Sequence, residues 1–260
     1  QWDVVHTSEY DPYTYCGTLF QKIDLTVVDV SKLPGGDYTD CGVPALYYGT
    51  VNMYNVEKYG DNPPQNWADF FNVEKFPGVR AIIGTSAPSG ALIEVVLLAD
   101  GVKKEDMFPE DAGPMIDRAL NKLRANKNSF IFSSSGAQQQ QMMESGEADM
   151  VMAWTGRAMT AVKNGANYKA VWSDWIVNKD YLSIPVGVKN PAAANALLNA
   201  YIGKHAQEIF AEKTSYSPVN TEAKPKLDGA TAEFVTNTPE RLKQGYEQNI
   251  QYWEELRDPQ

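Results

Sequence analysis

The side chains that most often carry catalysis are scarce in this sequence. His6 and His205 are its two histidines, which leaves little material for a His-based metal site or a Ser/His/Asp triad. His205 lies in a helical stretch bearing Lys and Gln and reads as surface. The two cysteines, Cys16 and Cys41, stand 25 positions apart, without the CxxC or Cys/His spacing of a zinc or redox site. Two readings of them stand. A disulfide would remove about 3–4 kcal/mol of unfolded-state freedom and imply an oxidising compartment; alternatively, both are buried free thiols. Gly84-Thr85-Ser86-Ala87-Pro88 lacks the spacing of a nucleophile elbow, and neither GxxxxGK[ST] nor GxGxxG occurs. Acids are plentiful, yet sequence alone places no pair at a catalytic separation. The expectation is a protein without metal or cofactor that performs no chemistry.

Composition narrows the partners. Of 260 residues, 43% are hydrophobic and 22% charged, the balance of a folding chain rather than a disordered one. The formal net charge of -10 and scattered Lys and Arg would repel a phosphate backbone, so nucleic acid is not an expected partner. No run approaches the roughly 20 apolar residues needed to span a bilayer. The sequence shows no Met start, charged n-region or apolar h-region, so an export signal or anchor would belong to a segment ahead of Gln1.

The elements that must position any site alternate along the chain. Trp2 to Val5 reads as a strand, followed by a polar and aromatic loop from His6 to Tyr15. A Pro/Gly/Asp turn falls at Leu33 to Tyr38, and Val43 to Tyr54 is rich in strand formers. Trp67 to Phe71 reads as a short helix, Val79 to Gly84 as a buried strand, and Ala91 to Ala99 and Pro114 to Ala125 as helices. Phe130 to Phe132 and Asp149 to Trp154 read as strands, with helices from Gln138 to Ser145 and from Arg157 to Asn164. Asn190-Pro191 caps a helix reaching Ile202, and Glu208 to Lys213 continues helically. Pro239 to Leu256 reads as one more helix, with Leu242, Tyr246, Ile250 and Trp253 at spacings of three and four. The repetition implies an α/β protein with mostly parallel strands.

An ordered set of motifs runs through this pattern. Pro64-Gln65-Asn66-Trp67-Ala68-Asp69-Phe70 precedes Phe76-Pro77-Gly78-Val79-Arg80, then Leu97-Leu98-Ala99-Asp100-Gly101. Ser145-Gly146-Glu147-Ala148-Asp149 leads into Trp154-Thr155-Gly156-Arg157-Ala158. Asp180-Tyr181-Leu182-Ser183-Ile184-Pro185, Val188-Lys189-Asn190 and Tyr216-Ser217-Pro218-Val219-Asn220 follow. Each motif alone is weak, but the series covers nearly the whole chain and resembles the family 1 extracellular solute-binding proteins of ABC importers, their polyamine-binding branch above all. That resemblance implies an α/β, two-lobed periplasmic-binding-protein type II fold with the ligand cleft between lobes, closing by hinge motion. It puts residues 1–54 and 181–213 in the first lobe and 55–180 and 214–260 in the second. The family carries a strand–helix–strand section ahead of the position matching Trp2-Asp3-Val4-Val5, so the first lobe is expected to lack that section here.

The resemblance also implies ligand contacts. Trp154 matches an indole that packs on the ligand's alkyl or ammonium part, and Asp180 matches a carboxylate receiving an amine. Tyr216, Tyr10 and Ser8 match cleft-lining positions, and Glu94 precedes the Leu-Leu-Ala-Asp-Gly element as in related sequences. Two departures weaken a long diamine held at both ends: Asn178 stands where polyamine binders often have an aromatic, and no acid stands near Gly90-Ala91. The implied function is capture of a small cationic solute and its delivery, by a monomer outside the cytoplasm, to a membrane permease. The alternatives are another small metabolite, such as an amino-acid derivative, or an enzyme on the same scaffold.

Overall fold

The computed structural model describes residues 2–84, 90–214, 216–236, 238–249 and 252. In chain order, β1 (Val5–Ser8) leads through a single helical turn, α1 (Asp11–Thr14), to β2 (Phe20–Gln21) and the long strand β3 (Gly42–Asn55). Then come α2 (Val56–Tyr59), α3 (Trp67–Phe71), β4 (Arg80–Ile83), α4 (Gly90–Ala99), α5 (Gly113–Ala125) and β5 (Phe130–Ser133). Next are α6 (Gly136–Glu144), β6 (Met150–Trp154), α7 (Thr155–Lys163) and a second long strand, β7 (Tyr168–Pro185). The chain continues with α8 (Pro191–Ile202), α9 (Lys204–Thr214), α10 (Gly229–Glu233), α11 (Pro239–Gln244) and β8 (Gly245–Glu247). Contacts divide it into two units, one of residues 1–48 and 178–237, the other of residues 49–177 and 238–252. Both β3 and β7 run from one unit into the other.

In the first unit, β1 pairs antiparallel with β7, Val5 opposite Ser183 and Ser8 opposite Asp180. β2 pairs with the end of the same strand, Phe20 opposite Pro185. Tyr47 of β3 exchanges backbone hydrogen bonds with Ser217. The core gathers Val43, Ala45, Ile184, Leu198 and Val219, each worth roughly 1.5–3 kcal/mol when fully removed from water, Ala less. Helix α8 begins as its sequence dictates: the Asn190 side chain accepts from the Ala193 N–H, with Pro191 in the first turn. Cys16 and Cys41 are joined in a disulfide, with Cα atoms 5.4 Å apart.

The second unit holds a sheet in the order β3-β6-β4-β5. β3 is antiparallel to β6, Thr50 opposite Trp154, while β5 and β6 both run parallel to β4. Parallel strands require crossovers, here supplied by the helices between them. Val51, Met53, Val151, Met152 and Ala153 are completely enclosed. Arg80, itself fully buried, donates to the carbonyls of Phe70 at 2.9 Å, Gly78 at 2.6 Å, and Phe76, and the Asp149 charge also favours its ionised form. Gly49 lies against Trp175, whose ring would stand 2.6 Å from any Cβ at that position. Among the described residues no helix is long and apolar enough to cross a membrane.

Three elements differ from the sequence reading. The first strand begins at Val5 and continues to Ser8, because its partner register runs from Ser183 back to Asp180; Trp2 is exposed. The helix expected from Pro239 to Leu256 ends at Gln244. Residues Gly245–Glu247 then join β7 as a parallel strand, with Tyr246 opposite Ile176, while Ile250, Gln251 and 253–256 lie outside the described residues. The contact division falls at Tyr48 and Val177, rather than at 54 and 180. It also places residues 216–236 with the first unit, because Ser217 pairs with Tyr47 and Val219 belongs to that unit's core.

Candidate functional site

In the first unit the strand alternation of β7 and β3 decides which side chains meet. Asp180, with 23% of its side chain exposed, accepts from the Tyr48 hydroxyl at 3.3 Å through Oδ1. Its Oδ2 lies 3.7 Å from His6 Nε2, an ion pair when the imidazole is protonated. Burial raises the Asp180 carboxyl above its ordinary value, against the opposing pull of His6 and the Tyr48 hydroxyl, and Asp11 adds to the rise. The Tyr48 phenol is pushed well above its ordinary range, by burial first and then by Asp180. Tyr216 meets Tyr48 edge to face, ring centroids 5.9 Å apart, and stacks on Phe210 at 6.3 Å. Ser8 faces Asp180 across the β1–β7 register, but its hydroxyl donates to Asp11 Oδ2 at 2.6 Å. Tyr10 precedes α1 and lies close enough to influence Tyr48. A desolvated carboxylate ringed by tyrosines suits an ammonium ion, which restores charge balance while the rings cover its alkyl chain.

The second unit presents a different set. Trp154 closes β6 and starts α7, half-buried, its backbone N–H donating to Gln139 Oε1 at 3.0 Å. α6 approaches this corner at Gly136, where a Cβ would stand 2.7 Å from Arg157 Nε and 3.0 Å from the Trp154 ring. Glycine is thus what allows the helix, the indole and the guanidinium to share the space. Arg157 is exposed and has no carboxylate in ion-pair reach among the described residues. It stands at the carboxyl end of parallel strands, where α/β sheets bind ligands. Glu94 lies elsewhere: it is fully buried in α4, close to the Tyr246 hydroxyl. A groove of about 620 Å³, also in this unit, is lined by residues including Tyr54, Pro64, Gln65, Trp172, Asp174 and Lys243, and by none of the candidate ligand contacts.

The structure therefore brings Ser8, Tyr10, Asp180 and Tyr216 into one neighbourhood and adds Tyr48 and His6 to it. Trp154 stands in the other unit with Arg157. Tyr48 gave a faint signal as half of a tyrosine pair inside an apolar strand, and Arg157 lies in the same Trp-Thr-Gly-Arg motif as Trp154. His6 gave none, since its approach to Asp180 depends on a pairing 174 residues apart in sequence.

The chain thus forms two α/β units linked by the continuous strands β3 and β7. The family profile described as bacterial extracellular solute-binding protein matches residues 1–243, and the chain belongs to that family. It is 30% identical to the gamma-aminobutyric acid-binding protein of Pseudomonas aeruginosa, over 97% of this chain and 71% of the relative. It is 24% identical to the spermidine/putrescine-binding periplasmic protein of Escherichia coli, over 89% of this chain and 64% of the relative. Among solved structures, a GABA receptor matches all of this chain and 78% of its own with 34% identity and a TM-score of 0.87. The glucopine-bound periplasmic binding protein of Agrobacterium tumefaciens matches 97% and 79% with 28% identity and a TM-score of 0.84. The family and these neighbours are transport proteins, and membership places the chain outside the cytoplasm, in keeping with its disulfide.

Proposed function

We propose that this protein captures a small solute carrying both an ammonium and a carboxylate, of the ω-amino acid kind, and delivers it to the permease of an ABC importer. The observation that carries this reading is the guanidinium of Arg157 beside the Trp154 indole, exposed and without a carboxylate partner among the described residues. In the first unit, Asp180 and its tyrosines present a carboxylate that burial makes costly to ionise and that a cation would relieve. Arginine is well suited to bidentate grip of a carboxylate. The relatives named for gamma-aminobutyric acid support the reading; Tyr216, Tyr10 and Ser8 would line the pocket around Asp180, whereas Glu94, buried beside Tyr246, would act only through that tyrosine. A single chain would hold one solute, with no bond made or broken.

Titration calorimetry with γ-aminobutyrate and putrescine tests it. Wild type is expected to bind γ-aminobutyrate more tightly. Arg157→Gln should weaken that binding about 10- to 100-fold, the scale of a charge-assisted hydrogen bond, while putrescine gains or stays unchanged. Tighter binding of putrescine by wild type, or an Arg157→Gln variant that holds γ-aminobutyrate as well as the parent, would overturn the reading.

A further inference from the structure

In β3 and β7, successive side chains point to opposite faces. Tyr48 and Asp180 meet on one face. Their sequence neighbours Tyr47, Lys179 and Tyr181 point to the other, and all three converge on a single carboxylate. Asp37 Oδ2 accepts from the Tyr47 hydroxyl at 2.6 Å, and Oδ1 accepts from the Tyr181 hydroxyl at 2.8 Å. Lys179 Nζ stands 3.2 Å from Oδ2. Tyr181 is fully buried, Tyr47 nearly so, and only 17% of the Asp37 side chain is exposed. Asp37 is delivered to this point by Gly35 and Gly36, whose φ angles of 57° and 77° lie in the left-handed region that glycine enters without strain.

We propose that Asp37 is a positioning residue for the amine-receiving pair Asp180 and Tyr48, an inference that rests on the functional reading above. One carboxylate ties down two neighbouring strands, each at a residue directly beside its ligand-facing group. Burial and the Asp37 charge hold both tyrosine hydroxyls protonated far beyond neutral pH, so both remain donors. A rotation or slip of β7 that moved Asp180 away from Tyr48 would have to pull Tyr181 and Lys179 off Asp37. The geometry of the ligand face is thereby set from behind.

A double-mutant cycle on γ-aminobutyrate affinity separates this from a purely stabilising network. Asp37→Asn should weaken binding about 10-fold in the parent background and cause no further loss in an Asp180→Asn background, because it acts through Asp180. Tyr181→Phe and Tyr47→Phe, each deleting one hydroxyl, should show partial losses with the same non-additivity, and they carry the test if Asp37→Asn fails to fold. Unchanged affinity in Asp37→Asn, or in both tyrosine variants should it not fold, overturns the inference, as does a loss that adds fully to that of Asp180→Asn. An Asp180→Asn variant binding as tightly as the parent, or no binding by the parent, overturns the functional reading and this inference with it.

Discussion

On the proposed function, Asp180 is where binding and stability pull against each other. Burial raises its carboxyl, and an acid whose folded-state pKa is raised is comfortable only when protonated. Its stabilising effect is present below the ordinary carboxylate range of about 3.9 and is lost as pH rises through the raised folded value. Above that raised value the free protein carries an ionised, partly desolvated carboxylate as a cost. Asp180→Asn should raise the melting temperature of the ligand-free protein at pH 7, and this advantage should vanish below about pH 4. The same variant should lose ammonium binding by about 10- to 100-fold. In the parent, affinity for an ammonium ligand should weaken on acidification sooner than an ordinary aspartate would dictate. Parallel melting curves and calorimetry across pH 4 to 8 read both effects; a lower Tm for the neutral-pH variant would contradict the assignment.

At the scale of elements, the packing of β3 against β7 in the second unit depends on an absent side chain. Gly49 faces the Trp175 ring, which is fully buried and donates through Nε1 to the Arg241 carbonyl at 2.9 Å. Gly49→Ala should cost about 1–3 kcal/mol, as overpacking does, seen as a lower urea midpoint at unchanged m-value. Elements of this kind were unevenly legible beforehand. α5 could be read from the spacing of its apolar residues, and α8 from the Asn190-Pro191 cap. The 18-residue strand β7 could not: its exposed and buried residues do not alternate cleanly, and Asp174 interrupts it with a φ of 51°. β8 was read as helix because Leu242 and Tyr246 are four apart, a spacing that suits a helix as well as it suits a helix end followed by a strand. For the site, Trp154 and Asp180 came through the resemblance in their motifs. Tyr48 and His6 reach Asp180 only through sheet pairing, which local sequence does not encode.

The whole molecule carries one covalent staple and a discontinuous chain. Closing the loop between Cys16 and Cys41 removes about 3–4 kcal/mol of unfolded-state freedom in the chain-entropy model. Reduction, or a Cys16→Ser/Cys41→Ser variant, should lower stability by that order, and urea unfolding with and without reductant measures it. A midpoint indifferent to reductant would show that the loop is held by packing alone. The chain's division has a different consequence. Residues 49–177 form most of the second unit in one run, whereas the first draws together residues up to 48 and residues 178–237. During synthesis and export, the second unit's contacts are mostly available before the first unit's are. β7, which carries Asp180, is made after β1 and β3, so the pocket that the proposed function assigns to the ammonium cannot assemble until β7 has joined them, and the early segment of the first unit waits without its partners until then.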